Sequence, residues 1–123
     1  MKIFIEAGSV EMEAELNDSA TAQQVWEALP IEGSANLWGD EIYFEIPVVA
    51  LGEADAREIV EVGTLGYWPV GHAFCIFFGP TPVSTDKRPR AYSPCNILGE
   101  VEGDATRFRE VRNDETVILS RVE

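Results

Sequence analysis

The chain has 123 residues, 46% hydrophobic and 25% charged, which is the size and composition of one globular domain able to bury a core without disulfide or metal staples. Its 22 acidic residues outnumber 9 basic ones, for a formal net charge of -13, and this argues against nucleic acid as a partner, because phosphate binding relies on clustered Lys and Arg. The longest unbroken apolar run, residues 73–78, falls far short of the roughly 20 residues a bilayer span takes, and no secretory signal pattern follows Met1, so no membrane partner and a cytoplasmic address are expected.

Residues 2–6 read as a first strand and Gly8-Ser9 as a turn. Val10, Met12, Ala14 and Leu16 then alternate with Glu11, Glu13 and Glu15, the period of a strand with one apolar face and one solvated acidic face. At residue 21 the period changes: Ala22, Val25, Trp26 and Leu29 fall at i, i+3, i+4 and i+7, an apolar helical stripe over about residues 21–29. Thr21 followed three positions on by Gln24 fits a capping box, and Pro30 stops the helix.

Between Asn36 and Pro47, Ile42, Phe44 and Ile46 alternate with Glu41, Tyr43 and Glu45 around a Gly39-Asp40 turn signal, which predicts a hairpin. An Ala- and Glu-rich connection leads to a brief strand at 59–62. Residues 63–71 are irregular, with Gly63, Gly66, Gly71 and Pro69 allowing sharp turns around Tyr67 and Trp68. Residues 73–78 are apolar on both faces and predict a central strand covered on each side. Gly79-Pro80-Thr81-Pro82 ends it, and a polar loop through Arg90 carries Asp86, Lys87 and Arg88. Strands at 96–101 and 116–122 and a late helical turn at 106–111 complete a single domain over residues 1–123. Many short strands with one early helix point to a mainly β fold, a small barrel or strongly curled sheet.

No phosphate-cradling Gly-rich loop, nucleophile elbow or Cys-His-Asn set can be read in the chain. His72 is the single histidine, too few for a His-rich metal site, and reads as an ordinary loop residue. Alternation puts Glu41 and Glu45 on one face, but such pairs arise by chance in so acidic a chain. Cys75, in an apolar strand, and Cys95 read as buried, reduced thiols. The remaining constellation is aromatic: Tyr43, Tyr67, Trp68 and Phe78, with Thr81 and Arg90 as nearby polar groups. A concave aromatic wall with few polar contacts is what a small-ligand or peptide site needs. No metal or cofactor is expected.

Four runs carry a family resemblance: Trp38-Gly39-Asp40-Glu41-Ile42-Tyr43-Phe44, Gly66-Tyr67-Trp68-Pro69-Val70-Gly71, Cys75-Ile76-Phe77-Phe78-Gly79-Pro80-Thr81-Pro82 and Ser93-Pro94-Cys95-Asn96-Ile97-Leu98-Gly99. In order and spacing they resemble small prokaryotic cyclophilin-like proteins of unassigned function, nearly end to end, with Val70 in place of the second proline of that family's YWPPG. The resemblance implies a closed cyclophilin-type β-barrel of about eight strands with helices at its open ends. It implies no activity. True cyclophilins are peptidyl-prolyl isomerases whose site resembles an arginine on a Phe-His-Arg strand, a Gln-Phe-Phe strand, and a late tryptophan and histidine, and none of these is matched here.

An isomerase must lower a barrier of about 18–20 kcal/mol with an apolar pocket and a donor aimed at the twisted amide. The pocket half could survive in the aromatic residues; the donor is missing unless Arg88 or Arg90 swings in. The expected function is therefore binding of a small molecule or proline-containing peptide in an aromatic-walled cleft. The alternatives are a weak or non-standard prolyl isomerase and a homo-oligomeric module that uses the aromatic patch as its interface.

Overall fold

The computed structural model describes residues 1–122. In chain order its elements are β1 (Lys2–Ala7), β2 (Val10–Leu16), α1 (Ala20–Ala28), β3 (Ile31–Ser34), β4 (Asn36–Leu37), β5 (Glu41–Glu45), β6 (Arg57–Ile59), β7 (Thr64–Trp68), β8 (Ala73–Phe77), β9 (Arg90–Val101) and β10 (Thr116–Arg121). Short 3-10 turns occupy Pro69–Gly71 and Ala105–Glu110.

Antiparallel ladders join the strands in the order β3-β10-β1-β2-β9-β7-β8-β5-β4, with β6 on the start of β9. The fold is mainly β, but the sheet differs from the expected closed barrel: among the described residues no ladder joins β3 to β4. These end strands are successive pieces of one bent stretch, and β4 is too short to reach round and complete a ring. The ends nevertheless approach, since Gly33 of β3 lies against the Phe44 ring of β5. At the corner between them the Ala35 N–H donates to the Glu115 carbonyl (2.8 Å) and the Asp114 N–H donates to the Ala35 carbonyl (2.8 Å). The chain itself bridges the seam.

Alternation decides what the curled sheet encloses. Ile3 and Ile5 of β1, Met12 and Leu16 of β2, Phe44 of β5, Leu65 and Tyr67 of β7, Phe74 and Ile76 of β8, Leu98 of β9 and Leu119 of β10 point into one core, which Ala22 and Val25 of α1 cover. Each large apolar side chain so buried contributes about 1.5–3 kcal/mol relative to exposure. Glu11, Glu13 and Glu15 occupy the solvated face of β2. On the opposite side of β8, Ala73, Cys75 and Phe77 pack with Val60, Ala91 and Cys95 as a second apolar layer. This second layer explains why the 73–78 run is apolar on both faces.

Three local readings shift. Residues 64–68, in the stretch read as irregular, form the regular strand β7 between β8 and β9. The N-cap of α1 is Ser19, whose hydroxyl accepts from the Ala22 N–H (3.2 Å). Thr21 lies inside the first turn, and its N–H (3.0 Å) and hydroxyl (2.7 Å) both donate to Glu53, a remote carboxylate placed where the helix dipole favours negative charge. β9 begins at Arg90, not near residue 96. Its first half runs beside β6, with Ile59 opposite Arg90 and Arg57 opposite Cys95, and its second half pairs with β7 and β2. Among the described residues no helix is long and apolar enough to cross a membrane.

Candidate functional site

β5 sends Ile42 and Phe44 into the core, so the period of two turns Glu41 and Tyr43 to the other face. There β8 lies alongside, with Tyr43 opposite Cys75 and Glu41 opposite Phe77. β7 ends at Trp68, opposite Ala73. The first half of β9 folds across this face and brings in Ala91, Tyr92 and Cys95, while Trp38 comes from the turn between β4 and β5. Together Trp38, Glu41, Tyr43, Trp68, Ala91, Tyr92 and Cys95 line a cavity of about 170 Å³, comparable to the roughly 150 Å³ dry cavity that admits a benzene molecule.

The aromatic walls are held in place. Tyr92 stands edge-on to Trp38, with centroids 6.1 Å apart at 67°, and edge-on to Trp68 at 6.2 Å and 75°. The Trp68 indole N–H donates to the Ser93 hydroxyl (2.6 Å). Its ring covers Gly71, where a Cβ would come within 2.7 Å of the indole carbons, so only glycine permits this packing. The Trp38 turn is fixed in a similar way. Gly39 has φ +58°, and a Cβ there would meet Pro82 at 2.8 Å and the Thr81 backbone at 2.9 Å. Tyr92 is 72% exposed and forms the outer wall.

The one carboxyl in the lining is Glu41, which is 6% exposed. Burial penalises its charged form and pushes it up to about 7 from the ordinary 4.5, with the neighbouring Cys75 thiol opposing part of that rise. Among the described residues no Lys, Arg or His pairs with it. Arg88 is held by Asp86 (2.8 Å), Arg90 by Glu58 (3.1 Å) and Arg109 by Asp40 (3.3 Å). Beneath the cavity Cys75 and Cys95 are buried free thiols. Contact with Cys95 and burial raise the Cys75 thiol well above its ordinary value, and the Glu41 charge adds to this. Among the described residues no group of three His, Cys, Asp or Glu is placed to hold a metal ion.

The model of the cyclophilin-like family matches residues 1–120. The chain belongs to the cyclophilin-like family. This cyclophilin-like chain is 37% identical to a hypothetical protein of Archaeoglobus fulgidus solved in solution, over 99% of this chain and 95% of that one, with a TM-score of 0.83. It also superposes on McbB, solved in complex with tryptophan, with a TM-score of 0.72 and 21% identity over 97% of this chain but 44% of McbB. At that identity the second likeness shows the fold. No curated protein matches the chain.

In this cyclophilin-like fold Tyr43 and Trp68 line the cavity, and the other four residues singled out from the sequence lie elsewhere. Tyr67 alternates to the inner face of β7 and is wholly buried; its hydroxyl donates to the Val48 carbonyl (2.7 Å) and accepts from the Ala50 N–H (3.2 Å). Phe78 packs in the core against Phe108, centroids 6.3 Å apart. The Thr81 hydroxyl donates to the Arg90 carbonyl (2.5 Å), bracing the loop, while the Arg90 side chain pairs with Glu58. His72 sits at φ 50° closing the Pro69–Gly71 turn, and it is not part of the lining. Trp38 and Tyr92 are the components that sequence reasoning passed over, and Glu41 was set aside as half of a chance pair with Glu45. The only signal for Trp38 was its place in a family-like run, and Tyr92 lay between the loop ending at Arg90 and the strand read from residue 96.

Proposed function

We propose that this cyclophilin-like protein is a binding domain that holds the compact end of a small organic molecule between Trp38, Trp68 and Tyr92. One observation carries the reading: four aromatic side chains and a single buried carboxyl converge on a cavity at the surface, while the interior of the sheet is filled with side chains. A few polar groups within aromatic walls supply both affinity and orientation in small-molecule sites. McbB was solved in complex with tryptophan; the cavity, rather than that distant likeness, supports a small ligand here.

A prolyl ring of a peptide is of a size to enter the same space. Isomerase activity would need a donor for the twisted amide, and the two arginines of the neighbouring loop are engaged, Arg88 by Asp86 and Arg90 by Glu58. The test is tryptophan fluorescence and amide shift mapping against single-ring metabolites, small amines and Xaa-Pro peptides. Saturable changes centred on Trp38, Trp68 and Tyr92, abolished by Trp68→Ala, are expected. A panel that leaves all three unmoved removes the binding reading, and prolyl exchange above background in an NMR assay would restore the isomerase.

A further inference from the structure

The aromatic walls of the cavity do not share one plane. Tyr92 lies at 67° to Trp38 and 75° to Trp68, so the three rings cannot all stack on one planar ligand, and the space beside them is bounded by crossed rings. Crossed rings can all touch a compact, rounded group. Each ring face carries the negative part of an aromatic quadrupole, which attracts a cation placed over it. The remaining polar group is the carboxyl of Glu41, buried and without a basic partner among the described residues. Among the described residues no basic side chain lines the space, so an anion would meet a carboxylate, electron-rich rings and no positive charge. The net charge of -13 biases the approach of small cations in the same direction.

We infer that the cavity recognises a methylated ammonium group of a small molecule, with Trp38, Trp68 and Tyr92 supplying cation–π contacts and Glu41 the counter-charge. The inference rests on the cavity being a binding site, and it names the chemistry of the ligand. It also links binding to a proton. Glu41 faces Cys75 from β8, Cys95 from β9 and Tyr43 on its own strand, while neighbouring Asp40 is neutralised by Arg109; none of these supplies a positive charge. With the carboxyl at about 7, only a minor fraction is ionised at pH 6 and most of it at pH 8. A ligand that needs the ionised form binds in proportion to that fraction, so apparent affinity rises about tenfold between those two pH values.

The experiment titrates the whole chain with tetramethylammonium, choline and the uncharged isostere 3,3-dimethyl-1-butanol, at pH 6 and pH 8 in 0.15 M salt, read by tryptophan fluorescence and amide shifts. Expected are saturable responses confined to the cavity, choline bound at least tenfold more tightly than its isostere, and the pH dependence above. Glu41→Gln should erase the pH dependence. Tyr92→Ala, at a side chain 72% exposed and therefore cheap to truncate, should weaken cation binding at least fivefold and serves if the Gln variant folds poorly. Equal binding of choline and isostere, cation shifts scattered over the acidic surface, or no cation binding at all would each overturn the cation assignment. If uncharged rings or prolyl peptides still bind, the small-ligand reading survives that result; if nothing binds, both fall.

Discussion

Replacing Glu41 by Gln should make the protein more stable at pH 8 and less stable at pH 4. In the folded chain burial lifts this carboxyl to about 7 from 4.5, so between those values the native state holds a proton that the unfolded state has lost. Stability therefore falls as pH rises through the window from 4.5 to about 7 and levels off above it. A rise of that size in a group so deeply buried corresponds to about 3 kcal/mol of destabilisation at pH 8. Gln keeps the volume and removes the charge, and leaving its amide incompletely hydrogen-bonded costs about 1–2 kcal/mol. The net expectation is a gain of about 1–2 kcal/mol at pH 8 that turns into a loss of about 1–2 kcal/mol at pH 4, where the native carboxyl is protonated and the penalty for its charge has gone. Urea denaturation of the two proteins at pH 4, 6 and 8, followed by tryptophan fluorescence, measures it. Comparing both at each pH cancels the titration of the other carboxyls, and equal slopes confirm an unchanged unfolding transition. A stability difference that stays constant across the three pH values would refute the claim that Glu41 is held protonated by burial.

Tyr67→Phe should cost about 1–3 kcal/mol, since it strips the Val48 carbonyl and the Ala50 N–H of their shared hydroxyl partner; limited proteolysis should then cut faster near residues 48–56. Gly71→Ala should displace the Trp68 indole, because the added methyl would lie 2.7 Å from its ring. A cost of about 1–3 kcal/mol and a shifted Trp68 indole N–H resonance are expected, and an unshifted resonance would count against the packing described. Cys75, a buried thiol held well above its ordinary value by Cys95 and burial, should be alkylated by iodoacetamide at pH 8 at least a hundredfold more slowly in the native state than in urea, as followed by mass spectrometry.

Much of the sheet was legible because its causes are local. Alternation in β2 needs only neighbours in sequence, and the run through Phe74 and Cys75 announces that something covers both sides. Sequence did not say what the second cover was. That cover is the first half of β9, which reads as loop because it follows a stretch rich in charge and contains Pro94; its pairing with β6 exists only once the chain has folded over. Tyr92 was invisible for the same reason. Glu41 and Glu45 alternate identically, yet Glu41 lies under the second layer and Glu45 beyond its edge, so one is buried and the other exposed. The capping reading missed by one small hydroxyl residue: Ser19 and Thr21 are both suitable, and the distant Glu53 claims Thr21. Tyr67 and Trp68, adjacent in sequence, point to opposite faces of β7, and a Gly- and Pro-rich setting does not reveal which face is occupied.

The cavity lies outside the curled sheet, between it and the overlying half of β9, and the interior is solid with Phe44, Phe74 and their neighbours. A molecule held there as proposed would enter and leave without a strand unzipping. On the proposed binding reading the exposed Tyr92 at the rim is the side chain that would govern release, and the framework is insulated from changes there. Side chains on this outer patch can therefore be replaced without disturbing the packed interior that sets the fold.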